Sequence, residues 1–430
     1  MKKIFLVIFI LFQFNLIKAE SNLTFFLDSA YQNNPRLNAE RKNFKATKEN
    51  INISRSEFLP NLSLEGNVDS SQSSNRTNKS GASLSDTSLN TETKKISVDQ
   101  KIFQGFEGYN SLKKSQLEVK VADLELKNVE QNTLLNAASV YYDLIYKSKN
   151  KKFNILNVDL FERQVESDSS RVQKGEITLT DLAQSESSLA GAKADLISAD
   201  TELLTTKTNF ERIIRLSAPN EINDDFELNI NLPKDLTNAL KIAEDQNPKL
   251  LIAKLNFKIS ERELNIEKAQ FSPSASLNYS KSEIDDFSAT VDQVEQETVK
   301  ATVTWPIIKG GKNFSSVKKS KLKKEKMSLI LQDTINEVKT NTANAWSTYQ
   351  SAQSVLKATE SQVKAAEIAN EGITLEYDSG NTRTTLEVIQ STSLLLDARI
   401  ANAKSERDFR VSKFELLAAI GNLTLDSIKQ

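Results

Sequence analysis

AYQNNPRLNAERKNFK, residues 30–45, and AEDQNPKLLIAKLNFK, residues 243–258, are two copies of one segment. Ala30 falls on Ala243, Asn34 on Asn247, Pro35 on Pro248, and Asn43-Phe44-Lys45 on Asn256-Phe257-Lys258. The register runs on through Ile53 and Ile266, Phe58 and Phe271, Pro60 and Pro273, and Ser63-Leu64 and Ser276-Leu277. A shorter connection in the second half then shifts it. Beyond the shift Gly105 meets Gly310, Tyr109 meets Phe314, Lys113-Lys114-Ser115 meets Lys318-Lys319-Ser320, and Gly175 meets Gly380. Chance does not produce a match of this length and order. The chain is a duplication, and the repeat is the unit to be read.

Each half follows one plan: a helical stretch, a proline, a strand, a polar loop, a second strand, a very long helix, a glycine and a returning helix. In the first half the helical segment covers 20–57, the β-hairpin 58–105 with its loop at 70–93, and the long helical hairpin 106–217. A linker at 218–235 leads to the second helical segment at 236–270, the second β-hairpin at 271–310 with its loop at 281–296, the second long hairpin at 311–421 and a tail at 422–430. Pro60, Pro273 and Pro306 stand where helix gives way to strand or a strand ends, because proline neither continues a helix nor donates to a ladder.

From Tyr109 to Gln173 and from Phe314 to Asp378 there is no proline and hardly a glycine. Some 60–65 residues at 1.5 Å each make a rod of about 90–100 Å, too long for one globular core. Leu331, Ile335, Val338, Thr342, Ala345, Tyr349, Ala352, Leu356, Thr359, Val363 and Ala366 recur at alternating steps of four and three. Leu182, Leu189, Ala192, Leu196, Ala199, Leu203, Thr206, Phe210 and Ile213 do so on a returning helix. A sustained heptad means supercoiled packing against other helices. It fits a free stalk and a wall of helices equally.

The strands alternate. Leu62, Leu64, Gly66 and Val68 oppose Ser63, Glu65, Asn67 and Asp69, and Ile96, Val98 and Ile102 oppose Ser97, Asp99 and Lys101. Ala275, Leu277 and Tyr279, then Ala301, Val303 and Trp305, repeat the pattern. Period two with one apolar face is the signature of a transmembrane barrel, and equally of a sheet half-buried in a soluble sandwich. Four strands close no barrel of useful bore, so a barrel requires several protomers.

Composition narrows the function. The 430 residues include no cysteine and no histidine and carry a net charge of −1. Thiolate and imidazole chemistry are excluded, with them most zinc sites and the commonest general base, and no basic excess recruits nucleic acid. We expect no enzyme, no cofactor and no metal. Lys2 and Lys3 precede an apolar run from Ile4 to Leu11 with Ala19 beyond, the pattern of a signal peptide over 1–19. The run is too short for a membrane anchor.

The chain resembles the TolC family of outer-membrane efflux and secretion channels over nearly all its mature length. The resemblance rests on the Asn34-Pro35 and Asn247-Pro248 pair, Phe58-Leu59-Pro60, Ile102-Phe103-Gln104-Gly105 and its counterpart Trp305-Pro306-Ile307-Ile308-Lys309-Gly310, and Gly175 and Gly380 ahead of the returning helices. It implies a mostly α protein with β: a homotrimer whose protomers each give four strands to a twelve-stranded outer-membrane barrel and four long helices to a periplasmic coiled-coil barrel. It implies a Gram-negative outer membrane and its lipid as the setting. The partners would be a periplasmic adaptor (membrane fusion) protein and an inner-membrane pump or ABC transporter, in drug efflux or type I secretion. The hairpin tips at Gly175 and Gly380 would dock the adaptor.

By the same resemblance Thr180, Asp181, Tyr377 and Arg383 match the network that latches the periplasmic tips, and Glu387 an acidic ring at the pore entrance. From the residues alone, these are equally ordinary solvated charges near helix ends, worth about 0–1 kcal/mol each. Two departures bear on the second hairpin. The next ring position is Gln390, not an acid, and one extra residue separates Gly380 from Glu387 compared with Gly175 and Asp181. The competing function is a coiled-coil tether without a pore, which leaves the strands and the duplication unexplained.

Overall fold

A computed structural model describes residues 23–219, 231–379 and 383–429. The expected signal peptide, residues 220–230 of the expected linker, and Gly380 lie outside the described residues.

The duplication reappears as matched lengths. The first half runs α1 (Leu23–Asn33), α2 (Pro35–Ser56), β1 (Asn61–Ser73), a small β2–β3 hairpin (Arg76–Thr77 and Ser83–Leu84), β4 (Thr87–Gln104), α3 (Glu107–Gln173) and α4 (Leu179–Ile214). The second runs α5 (Leu236–Gln246), α6 (Pro248–Ala269), β5 (Ser274–Ser288), β6 (Val291–Thr304), α7 (Lys312–Asp378) and α8 (Thr385–Ile420), followed by α9 (Leu425–Lys429). Helices α1 and α5 have 11 residues each, α2 and α6 22, α3 and α7 67, and α4 and α8 36. A helix of 67 residues is about 100 Å long.

Three of the expected segments carry more detail than the sequence gives. Residues 23–56 are two helices, because Pro35 takes the first helical position of α2 and the Asn34 side chain caps it, accepting from the amides of Arg36 at 3.0 Å and Leu37 at 3.3 Å. Much of the expected polar loops is strand: β1 reaches Ser73, β4 begins at Thr87, and only Ala289 and Thr290 separate β5 from β6. The expected tail carries α9, which packs on α1 with Ile428 buried.

The chain forms two compact units, with α3 and α7 contributing to both. The unit of residues 39–128 and 248–338 holds the sheet, ordered β1-β4-β5-β6 and antiparallel throughout. Hairpin registers match between halves: Leu62 opposes Val98 and Leu64 opposes Ile96, as Ala275 opposes Val303 and Leu277 opposes Ala301. A bulge between Lys101 and Phe103 takes Ile102 out of the ladder. Leu64, Val68, Val299 and Val303 are 81, 72, 69 and 74 % exposed. A sandwich would bury that face; among the described residues nothing covers it.

In the other unit the aromatic rings of Phe26, Tyr141 and Phe210 pack with centroids 5.2–5.7 Å apart, and Phe414 stands 6.1 Å from Tyr142. The heptad residues expected on α4 and α7 are all buried or half-buried. Gly421, at φ +82°, closes α8 where a Cβ would stand 2.4 Å from the Gln246 carbonyl oxygen. That contact binds the end of the second half to α5.

Candidate functional site: the hairpin tips

Both helical hairpins turn within the second unit, and each turn shapes itself. Helix α3 ends in a glycine-centred cap: Gly175 adopts φ +75°, its amide donates to Val172 at 3.0 Å, and the Glu176 amide donates to Arg171 at 2.9 Å. Helix α4 starts in a capping box. The Asp181 amide donates to Thr178 Oγ1, and Asp181 Oδ2 accepts from the Thr178 amide at 2.9 Å and hydroxyl at 2.8 Å. These bonds, with Arg171 nearby, hold the Asp181 carboxyl below its ordinary value. Thr180 is exposed in the first turn.

The second hairpin repeats the device. Thr384 caps α8, and Glu387 Oε2 accepts from the Thr384 amide at 2.7 Å and hydroxyl at 3.1 Å. Asp181 and Glu387 are therefore structural equivalents, and the extra residue of the second hairpin lies between Gly380 and Thr384. Arg383 Nε donates to Glu376 at 2.6 Å and Nη1 to Glu387 at 3.0 Å. The bonds from Thr384, then the Arg383 guanidinium, draw the Glu387 carboxyl below its usual range. Within the protomer the described residues show no contact between Asp181 and Arg383. Asp181 Oδ1 and Arg383 Nη2 are left without a partner among them.

Tyr377 leads to residues that the sequence reading missed. It is 4 % exposed, and its hydroxyl donates to Asp168 Oδ1 at 2.7 Å and lies 3.0 Å from Thr385 Oγ1. Asp168 is wholly buried, and its carboxylate also accepts from Ser185 Oγ at 2.5 Å and Gln164 Nε2 at 3.0 Å. The Arg171 guanidinium lies 4.5 Å from the Tyr377 ring centroid. Burial, with the Asp168 bond, raises the Tyr377 phenol above its ordinary value. One cluster thus takes a side chain from each of α3, α4, α7 and α8. The available signal was spacing: Asn154, Asn157, Phe161, Gln164, Asp168 and Arg171 continue a three-four rhythm along α3. A cleft of about 350 Å³ opens beside it, lined among others by Leu160, Phe161, Val388 and Ile389.

No group of side chains among the described residues is arranged to hold a metal ion. No described helix is long and apolar enough to cross a membrane. An uncovered apolar sheet face, polar on its reverse, joined to paired 67-residue helices with cross-braced tips, defines a protomer of a membrane channel. The outer membrane efflux protein family model matches residues 26–214 and 239–422, and the chain belongs to that family. It is similar to the outer membrane efflux protein BepC of Brucella suis, 26 % identical over 94 % of this chain and 86 % of that protein. Outer membrane protein TolC of Vibrio cholerae is 22 % identical over 94 % of this chain and 91 % of its own length. The crystal structure of the CmeC outer membrane channel of Campylobacter jejuni superposes with a TM-score of 0.83 at 14 % identity, over 94 % of this chain and 86 % of that one. The protein is a bacterial outer-membrane efflux channel of the TolC family, a transport protein and not an enzyme. Channels of this family trimerise and work with efflux pumps.

Proposed function

We propose that three copies of this chain close a twelve-stranded barrel, the β6 edge of each copy pairing with the β1 edge of the next. Their long hairpins would continue into the periplasm as a helical wall. The observation that carries this reading is the four-stranded sheet with two unpaired edges of 13 and 14 residues and an uncovered apolar face. Exposed backbone donors and acceptors are not tolerated in hydrocarbon, so both edges must find partners. The helices agree: Leu160, Ile197, Leu204, Ile368 and Leu375 are large apolar residues left exposed in the lone protomer.

The tips at Gly175 and Gly380 dock a periplasmic adaptor, which joins the duct to an inner-membrane pump or ABC transporter. Asp181 and Arg383 form the latch between neighbouring copies, with Thr180 beside them and Tyr377 bracing from within. Each has capacity to spare for this, Asp181 through Oδ1 and Arg383 through Nη2. Glu387 contributes a carboxylate ring at the entrance, its charge partly answered by Arg383, and favours cations over anions. Single-channel recording in a planar bilayer tests the reading. The parent should give small, cation-biased steps, and Asp181→Ala with Arg383→Ala steps several-fold larger. Unchanged steps would remove the latch assignment. Absence of current from an inserted, heat-sensitive trimer would remove the channel.

A further inference from the structure

We propose that the cleft between the start of α2, the end of α4 and the adjoining stretch of α3 is a binding site for a small phosphate-bearing solute, held by Arg36, Arg212 and Arg215. The channel reading above gives these residues no role, and the site stands without it.

The cleft has a volume of about 420 Å³ and lies wholly within one of the two units. All three arginines line it, and no acidic residue does. Among the described residues their side chains make no ion pair and no hydrogen bond, and neither do those of Asn132 and Asn136 in the same wall. Carboxylates beside them in the chain are engaged elsewhere: Glu211 accepts from the Ala218 amide at 3.3 Å and Glu130 from the Tyr31 hydroxyl at 2.9 Å. Three like charges around one hollow repel each other, and an anion placed among them relieves that repulsion.

The duplication supplies a control inside the molecule. In the second half Lys249 stands for Arg36 and Glu337 for Asn132, and Lys249 Nζ donates to Glu337 at 2.5 Å. Ala418 and Gly421 stand for Arg212 and Arg215. At the same junction the second half thus sets one cation against one acid, whereas the first sets three cations against none. Arg215 adopts φ 66° where Gly421 adopts φ 82°. Glycine takes that left-handed conformation freely and arginine does not, so this side chain is placed there against the preference of its backbone. Phosphate matches the set. A monoester carries close to two negative charges at about pH 7 and offers three acceptor oxygens, one for each guanidinium fork, whereas a lone carboxylate answers a single charge. The cleft falls within the range of small-molecule sites, about 300–1,000 Å³, which leaves room for the body that carries the phosphate.

The test is equilibrium dialysis of labelled glycerol phosphate against the detergent-solubilised full chain in about 0.15 M chloride, where exposed charges are screened. Heat-sensitive migration first confirms assembly of each variant. Saturable binding of one probe per chain is expected, with acetate competing about ten-fold or more weakly. Asn132→Glu installs the acid of the second half, and Arg212→Ala with Arg215→Gly installs its uncharged residues. Each should weaken binding about ten-fold or more. Lys318→Gln with Lys319→Gln removes as much charge from the exposed start of α7 and should leave binding unchanged. If the arginine pair does not assemble, Asn132→Glu, at an exposed position, decides on its own. Equal loss in the lysine variant would reduce the effect to general attraction and overturn the site, as would the absence of saturable binding. Glu221, Asp224, Asp225 and Glu227 follow Arg215 in the sequence. Binding that appears only after all four are changed to their amides would make them the counter-charge, and would overturn the proposal as well.

Discussion

The duplication specifies which residues should face each other where one copy's β6 meets the next copy's β1. Within the protomer, β4 against β5 is a junction of first half to second, and in the proposed barrel the junction between copies would be its repeat equivalent. Val98 opposite Tyr279 becomes Val303 opposite Gly66 of the next copy, and Lys95 opposite Ser282 becomes Lys300 opposite Asp69. The pair Lys300 and Asp69 is oppositely charged, which favours directly opposed positions. Gly310 supports the same transformation. Its counterpart Gly105 is crowded by Ala269 and Ser272, yet nothing lies within 4 Å of a Cβ at Gly310, the space that Ser56 and Leu59 of the next copy would fill. Because the chain has no cysteine, Asp69→Cys with Lys300→Cys reports the register cleanly. Opposed residues have Cα atoms about 4.5–5.5 Å apart, inside the disulfide range of about 4.4–6.8 Å. A slip of two residues, the smallest that keeps each face in place, puts them about 7–8 Å apart along the diagonal. On a non-reducing gel after boiling, the pair should run as linked dimers and trimers that collapse with reductant, while Asn67→Cys or Ser71→Cys with Lys300→Cys should link weakly. Preferential linking by either control, or no ladder from an assembled trimer, would refute the transformation.

Two further outcomes are expected. Gly421→Ala forces a side chain into a left-handed conformation against the Gln246 carbonyl, costing about 2–4 kcal/mol, and should lower the temperature at which the trimer dissociates by several degrees. Acid should loosen the tips: Asp181 and Glu387 have folded-state pKa values below their ordinary 3.8 and 4.5, so their contribution is intact above those values and is lost as pH falls through the depressed ones. The hydrogen-exchange protection factors of the amides in Thr178–Asp181 and Thr384–Glu387, taken relative to the intrinsic rate at each pH, should fall below about pH 4.5, and factors unchanged down to pH 2 would contradict it.

The periodic elements were legible because their causes are local. The α4 and α7 seams, the prolines at helix starts and the alternation of Leu62 to Val68 each follow from neighbours in the chain. The strand ends were not, for a reason visible in the sheet. Beyond Ile96 and Val299 the apolar face turns largely polar, with Lys94, Glu283 and Glu295 in one row, while the opposed pair Ile284 and Val294 falls on the other face. The regular alternation fades there although the ladder continues, and a strand whose apolar residues are sparse and change faces reads as loop. The Asp168 cluster escaped for the opposite reason. Its rhythm along α3 is present, but what gives a seam aspartate meaning is Tyr377, 209 residues away. The resemblance supplied Tyr377 without its partner, and supplied Asp181 and Glu387 without the capping boxes that occupy them.

The order of strands β1-β4-β5-β6 also bears on how the chain reaches its native state. Hairpin tips, caps and helical seams join residues near one another in sequence, so they can form early and independently in each half. The β4–β5 ladder closes a loop of about two hundred residues, from Glu92 to Asp285, and long loops close late. Even then both outer edges wait for other chains. In the proposed barrel the last backbone bonds of the sheet form between chains, so their formation depends on protein concentration, and an unassembled copy would present two open strand edges to whatever it meets. A cell making this protein has to keep those edges apart from each other until the membrane receives them.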